Sequence, residues 1–237
     1  MATRTLRWAD NPLGATNSAL IVRWQWIALL LIGYPLLMTL RSLTWQAVGT
    51  AGLSGLGYYI PFWLTVIIFQ AISIALVMRA MRSSGGGLAD LGLCVPARRA
   101  ALTLVGLAGL GLALVMYRLV VPSTAPTSVD AFSQPIALPD RLVWLVEAGL
   151  AAFSEELLYR GFAITALRSH GIPVILALMI AVLRWILNHG LTALDRAPFY
   201  MATGLLFGAI FVWRRSLYPV MVLHALVAFM TPVGLMR

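Results

Sequence analysis

The chain has 237 residues, of which 61% are hydrophobic and only 11% charged, with a mean hydropathy of +0.90; soluble domains carry about 25% charged residues, so a soluble globular fold is excluded. The formal charge of +9 comes from 17 basic residues, all arginine, scattered between oily segments rather than gathered into a basic face, which argues for topology signals over a nucleic-acid surface. A single cysteine, Cys94, rules out an intrachain disulfide and a thiolate metal cluster.

A hydrocarbon core about 30 Å thick needs ~20 apolar residues per crossing helix. Taken in chain order, the apolar runs predict seven spans: 24–40, 58–78, 100–121, 142–166, 173–189, 199–213 and 217–234. The expected fold is therefore all-α, a polytopic transmembrane bundle. The N-terminus has Arg4 and Arg7 but no apolar run before about Ile27 and no small-residue cleavage site after it, so the first span is expected to be retained. In the second, Pro61 sits near the start, where a proline is tolerated because first-turn amides lack helical partners. Gly85, Gly86 and Gly87 follow it and read as a flexible linker. The Pro/Ser/Thr-rich stretch from Val121 to Asp140 reads as an external loop, and Trp24, Trp26, Trp45, Tyr58, Tyr59 and Trp144 as interfacial aromatics.

Arginines in short loops set orientation, because positive residues stay on the cytoplasmic side. With the N-terminus inside, Arg4, Arg7, Arg79, Arg82, Arg98, Arg99, Arg168, Arg214 and Arg215 fall inside and only Arg41, Arg141, Arg196 and Arg237 outside. Seven spans, N-in and C-out, are expected. The chain divides into three N-terminal spans with their loops, residues 1–141, and a four-span core, residues 142–237.

That core holds the anomaly. Its fourth predicted span contains Glu155, Glu156 and Arg160, in a chain with three glutamates in total. An ionisable residue at the centre of a membrane helix costs roughly 2.5–3.5 kcal/mol on insertion scales, so such residues face a protein interior or a wet cavity and mark function. At about 100° per residue, Glu156 and Arg160 share a helix face and can pair i,i+4, while Glu155 points elsewhere. Arg160 is expected to hold Glu156, leaving Glu155 for a different neighbour.

His189 closes the fifth span and His224 lies in the last. Carboxylate and imidazole together can hold a water, take its proton as it attacks a carbonyl and stabilise the oxyanion. The same residues, Glu155, His189 and His224, could instead ligate zinc with water as fourth ligand. Separately, an intramembrane Glu–Arg pair is as often a packing clamp, and a lone membrane histidine often only bonds its neighbours. Glu147 reads as interfacial and His170 as a solvated loop residue. One conflict stands: at 1.5 Å per residue, Glu155 is about 20 Å from the outer end of its span and His189 close to the outer end of its own.

The motif Glu155-Glu156-Leu157-Leu158-Tyr159-Arg160, then Trp185 four residues before His189, then Phe207-Gly208 and Ser216-Leu217-Tyr218-Pro219 leading to His224, resembles the CPBP family of intramembrane proteases. That group contains the type II CAAX prenyl endopeptidases and the Abi or bacteriocin self-immunity proteins. The resemblance covers residues 142–230 and implies hydrolysis of a peptide bond in a membrane-anchored peptide or protein, in a multi-pass protein of a bacterial cell membrane. Glu155 would be the general base, Glu156 and Arg160 would position it, and His189 and His224 would bind water, metal or oxyanion; the family is described both as metal-dependent and as glutamate-dependent. The chain departs from it at Ala228, where the family usually carries Asn or Asp; the loss of one oxyanion donor costs on the order of 10²–10³ in rate. Neighbouring Asn188 is the candidate substitute. A catalytically weak or inactive scaffold or immunity protein that binds a peptide at the same site is the alternative, and a proton-coupled transporter is a third reading, with no inverted repeat to support it.

Overall fold

The computed structural model describes residues 20–50, 56–93, 138–189, 194 and 197–233; the predicted third span, 100–121, and Cys94 lie outside them. Helix α1 (Trp24–Ala28) passes through a π-helical turn, Leu29–Gly33, into α2 (Tyr34–Thr50). Then come α3 (Leu56–Ser83), α4 (Leu138–Glu155), a π-helical segment Glu156–Ala163, α5 (Ile164–Arg168), α6 (Val174–Asn188), α7 (Ala197–Arg214) and α8 (Tyr218–Val233). The described residues contain no strand, and the six predicted spans that fall among them are helical, five of them within a few residues of their expected limits. The first overshoots most, running on to Thr50.

The outward surface has the polarity of a membrane protein. Leu36, Leu40, Ile32, Ile68, Ile175, Leu206 and Trp213 are each more than half exposed, and an apolar surface that broad is stable in lipid rather than water. Three helical stretches, Trp24–Trp45, Ile60–Ser83 and Ala197–Arg214, are long and apolar enough to cross a bilayer, and Val174–Asn188 and Tyr218–Ala228 are shorter apolar helices. The core is formed around the π segment, all eight residues of which are buried. Leu157, Leu158 and Phe162 pack there with Leu30 and Leu31 of the first π turn, Met81 of α3 and Phe211 of α7.

Local chemistry explains the connections. Ser-Ser-Gly-Gly-Gly is a hydrogen-bonded helix cap rather than the expected flexible linker: Gly85 takes φ +77°, its amide reaches Arg82 O (3.2 Å), that of Gly86 reaches Met81 O (2.9 Å), and the Asp90 carboxylate accepts from Gly87 N (2.8 Å). The same six-to-one and five-to-two pattern ends α5, where Gly171 takes φ +77°, with Ile172 N on Leu167 O and Gly171 N on Arg168 O. His170 is not a solvated loop residue. Its Nε2 lies 2.7 Å from Val22 O and its ring stacks on Trp24 at 4.1 Å, so that indole is engaged in packing as well as facing lipid. Ser169 Oγ accepts from Val22 N (3.1 Å), tying the entry of α1 to the same turn. Pro61 falls five residues inside α3 rather than in its first turn, so the carbonyl four residues earlier has no helical amide.

The turn after α5 also removes the depth conflict. Glu155 is 13 residues before Arg168 and Trp185 is 11 residues after Val174, so the two antiparallel helices bring them level when counted from their shared turn. The outer ends differ because the helix from Leu138 to Arg168 is about twice as long as α6, which spans 15 residues. Gly171→Ala forces a left-handed φ on an alanine and is expected to lower stability by about 1–2 kcal/mol. Gly149→Ala, in a helix interior with open space around the added methyl, is expected to raise it by up to roughly 1 kcal/mol. Thermal unfolding followed by tryptophan fluorescence checks both signs.

Candidate active site

Glu156 is fully buried, and its Oε1 accepts from Arg160 Nη1 at 2.9 Å and from His224 Nδ1 at 2.8 Å. The expected i,i+4 pair is present, and it is also the bridge that joins the π segment to α8. The looser i→i+5 winding of the π segment, a feature enriched at functional sites, holds both charged side chains inside the bundle. Arg160 is 1% exposed; its guanidinium lies 4.6 Å from the Trp185 ring centre and 5.6 Å from that of Phe207, with Nη2 3.5 Å from Gly204 O. Desolvated cation–π contact of this kind is worth about 2 kcal/mol.

Glu155 faces the other way, as its helix position requires. Its Oε2 accepts from Trp185 Nε1 at 2.5 Å. It lies 3.9 Å from His189 Nε2 and 3.9 Å from His224 Nε2. Both imidazoles are oriented through their other nitrogen: His189 Nδ1 donates to Trp185 O at 2.9 Å and His224 Nδ1 to Glu156. The five residues singled out in the sequence thus meet on four elements, α4, the π segment, the end of α6 and α8. Glu155 and His189 are partly exposed, at 14% and 26% by side chain, while Glu156 and Arg160 are sealed. Glu155 and His189 therefore border an accessible space, and Glu156 and Arg160 do not.

Two histidines with tied Nδ1 atoms and one carboxylate are the right donor types for zinc. Their spacing is wider than a metal shell: no group of three or more His, Cys, Asp or Glu among the described residues is arranged to hold an ion, and Glu155 Oε2 already accepts from the indole. A gap of 3.9 Å between carboxylate oxygen and imidazole nitrogen suits a single water in hydrogen-bond contact with both, at about 2.8 Å from each.

Residues 137–230 match the family model described as type II CAAX prenyl endopeptidase Rce1-like. This segment is similar to that family. Comparison with curated proteins and with solved structures gives no match. The family match, with the three helical stretches long and apolar enough to cross a bilayer, supports an integral membrane protein with a segment similar to membrane proteases, and the matched segment takes in every one of the five residues described above.

Tyr200 and Gly204 contribute to the candidate site and escape sequence reading, and Phe207, noted only in the family resemblance, packs beside them. Tyr200 packs on His189 at 4.7 Å and edge-on to Trp185 at 5.5 Å, and Phe207 lies 5.8 Å from His224. Gly204 sits between them; a Cβ there would lie 2.9 Å from Val182 Cγ1 and 3.2 Å from Trp185 Cε3, so glycine is what lets α7 close against α6. The spacing 200, 204, 207, 211 on one face of α7 is the signal that could have found them. Glu147 is not interfacial: it is 8% exposed and accepts from Gln70 Nε2 at 3.2 Å between α3 and α4. Asn188 Oδ1 is buried without a hydrogen-bond partner.

Removing one member of a buried charge network leaves the others uncompensated, at a cost of about 3–5 kcal/mol. Glu156→Ala is expected to destabilise the protein by that amount and Glu155→Ala by much less, because only Glu156 is sealed and bridged. Thermal unfolding of both variants in the same detergent tests the difference.

Proposed function

We propose that the chain is an intramembrane endopeptidase that hydrolyses a peptide bond of a membrane-anchored protein or peptide with water activated by Glu155. The observation that carries this reading is the convergence of His189 Nε2 and His224 Nε2 on one oxygen of Glu155, each at 3.9 Å. A water held between Glu155 and His189 gives its proton to the Glu155 carboxylate as its oxygen bonds to the scissile carbonyl carbon. His224, carrying a proton on both nitrogens and backed by Glu156, donates from Nε2 to the resulting oxyanion. Collapse of the tetrahedral intermediate breaks the C–N bond, and the proton held by Glu155 goes to the departing amine. Trp185, through its indole N–H, fixes the carboxylate in the attacking orientation.

The arginine-rich end of the bundle, with Arg79, Arg82, Arg168, Arg214 and Arg215, is read as the cytoplasmic end. Trp185 and Glu155 then lie roughly 17 Å from it along α6.

Ala228 favours a second reading, a peptide-binding scaffold with the same pocket and little turnover. It stands one turn after His224 on α8, where a side-chain amide would add an oxyanion donor. The two readings part on activity. Glu155→Gln is expected to lower cleavage of a membrane-anchored peptide library by at least about 10²-fold, in purified protein reconstituted into vesicles; equal cleavage by both proteins would remove Glu155 as base. A chelator is expected to leave the native rate unchanged, and loss of activity that zinc restores would replace the water mechanism with a metal-dependent one. Ala228→Asn is expected to raise the rate by about 10-fold or more, whereas a scaffold would gain no turnover from it.

A further inference from the structure

A water held between Glu155 and His189 requires the His189 ring to keep one plane, and its own helix supplies a single tie. His189 ends α6, with φ −80° and ψ 2°, and its side chain is partly exposed. The tie is the hydrogen bond from Nδ1 to Trp185 O at 2.9 Å, one turn earlier. Helix ends fray. A ring held there through one atom can turn about that bond and carry Nε2 away from Glu155.

The second constraint comes from α7. The Tyr200 ring lies 4.7 Å from the His189 ring at a tilt of 40°, while Trp185 stands at 5.2 Å and 87° to the same imidazole. Tyr200 and Trp185 also meet each other, at 5.5 Å and 78°. The imidazole is therefore bounded by an indole at near right angles and a phenol ring inclined over it. Aromatic rings favour such offset and edge-on pairs at centroid separations of about 4.5–7 Å. Two glycines put Tyr200 at that place. A Cβ on Gly208 would overlap Leu178 Cδ1, and one on Gly204 would lie 2.9 Å from Val182 Cγ1, so α7 runs close along α6 with 208 over 178 and 204 over 182. The next step of one turn on each helix brings Tyr200 to the turn that carries Trp185 and His189. Its position is thus fixed by the approach of two backbones.

We infer that Tyr200 is a positioning residue for the hydrolytic reaction, its ring holding the His189 imidazole in the plane that keeps Nε2 one water away from Glu155, across the 3.9 Å gap. This rests on the protease reading and adds to it a residue that acts through His189. The role belongs to the ring rather than the hydroxyl, because the contact is made ring to ring. A displacement of about 1 Å at a reacting group can cost as much as roughly 10²-fold in rate, so an imidazole set free by loss of Tyr200 shows in kcat.

The test reads the imidazole and the rate separately. The chain has three histidines, so full-length protein with isotope-labelled histidine in phosphatidylcholine nanodiscs gives few ring signals, and those of His189 are assigned by their loss in His189→Gln. The native protein is expected to show His189 as the single tautomer protonated at Nδ1, and Tyr200→Leu to average the two ring nitrogens while the His170 and His224 signals stay in place. On a membrane-anchored peptide that the native chain cuts, Tyr200→Leu is expected to lower kcat by about 10-fold or more with KM changed less than about 2-fold. Tyr200→Phe, which returns the ring without the hydroxyl, is expected to rescue both the tautomer and most of the rate. Where Tyr200→Leu displaces the His170 and His224 signals as well, Tyr200→Met replaces it with the same expected outcomes. A Tyr200→Phe protein as slow as Tyr200→Leu overturns the inference by giving the role to the hydroxyl. So does a loss carried by KM with the His189 signals unchanged, which makes Tyr200 a substrate contact. Absent turnover in the native chain, with a single tautomer that Tyr200→Leu abolishes, sinks the protease reading and leaves the hold of Tyr200 on His189 standing.

Discussion

The bridge from Arg160 through Glu156 to His224 is the constraint on which the rest of the site depends. In a bundle whose outer surface is hydrocarbon, a sealed carboxylate needs a compensating charge, and here Oε1 accepts from a guanidinium on its own segment and an imidazole from α8. Breaking a buried pair costs more than making it gains, so the network acts as a register pin: α8 can occupy only the position that keeps His224 Nδ1 on Glu156. Because that nitrogen is committed, Nε2 is turned toward Glu155. The direction of His224 Nε2 is therefore inherited from the buried bridge.

Trp185 does for α6 what Glu156 does for α8. Its ring covers the Arg160 guanidinium, its N–H meets Glu155, and its carbonyl receives His189 Nδ1. One residue thus links the positioning half of the site to the reacting half, and Gly204 is the space that admits it. The π segment serves the same end by carrying Glu156 and Arg160 into the buried interior, while Glu155, the last residue of α4, faces accessible space.

Periodicity and composition made most of the helices legible. Long apolar runs in a chain with few charges favour helices, which satisfy their backbone groups internally in lipid; six helical segments could therefore be read directly. The Glu156–Arg160 pair was equally legible, being fixed by helix geometry within one segment. Glu147 and His170 were misread for a common reason. Each is polar and near an element end, a pattern that suggests solvent, yet each finds its partner on a helix distant in sequence, Gln70 for one and the chain at Val22 for the other. The Gly85–Gly87 stretch was misread because glycine composition signals flexibility, whereas a positive φ at the end of a helix makes it a cap.

What the sequence by itself determined is the class of the molecule, a helical membrane bundle, and the few ionisable residues too costly in hydrocarbon to be incidental. Local rules suffice for that, because they depend on hydropathy, on 3.6-residue spacing and on the energy of burying charge. Only the tertiary structure decided which of those residues meet. The depth of Glu155 against His189 depended on unequal helix lengths and on a turn that aligns α5 with α6. The roles of Trp185, Tyr200 and Gly204 depended on the packing of α7. Such relations are set by contacts between segments far apart in the chain, and no period or motif within a single segment encodes them.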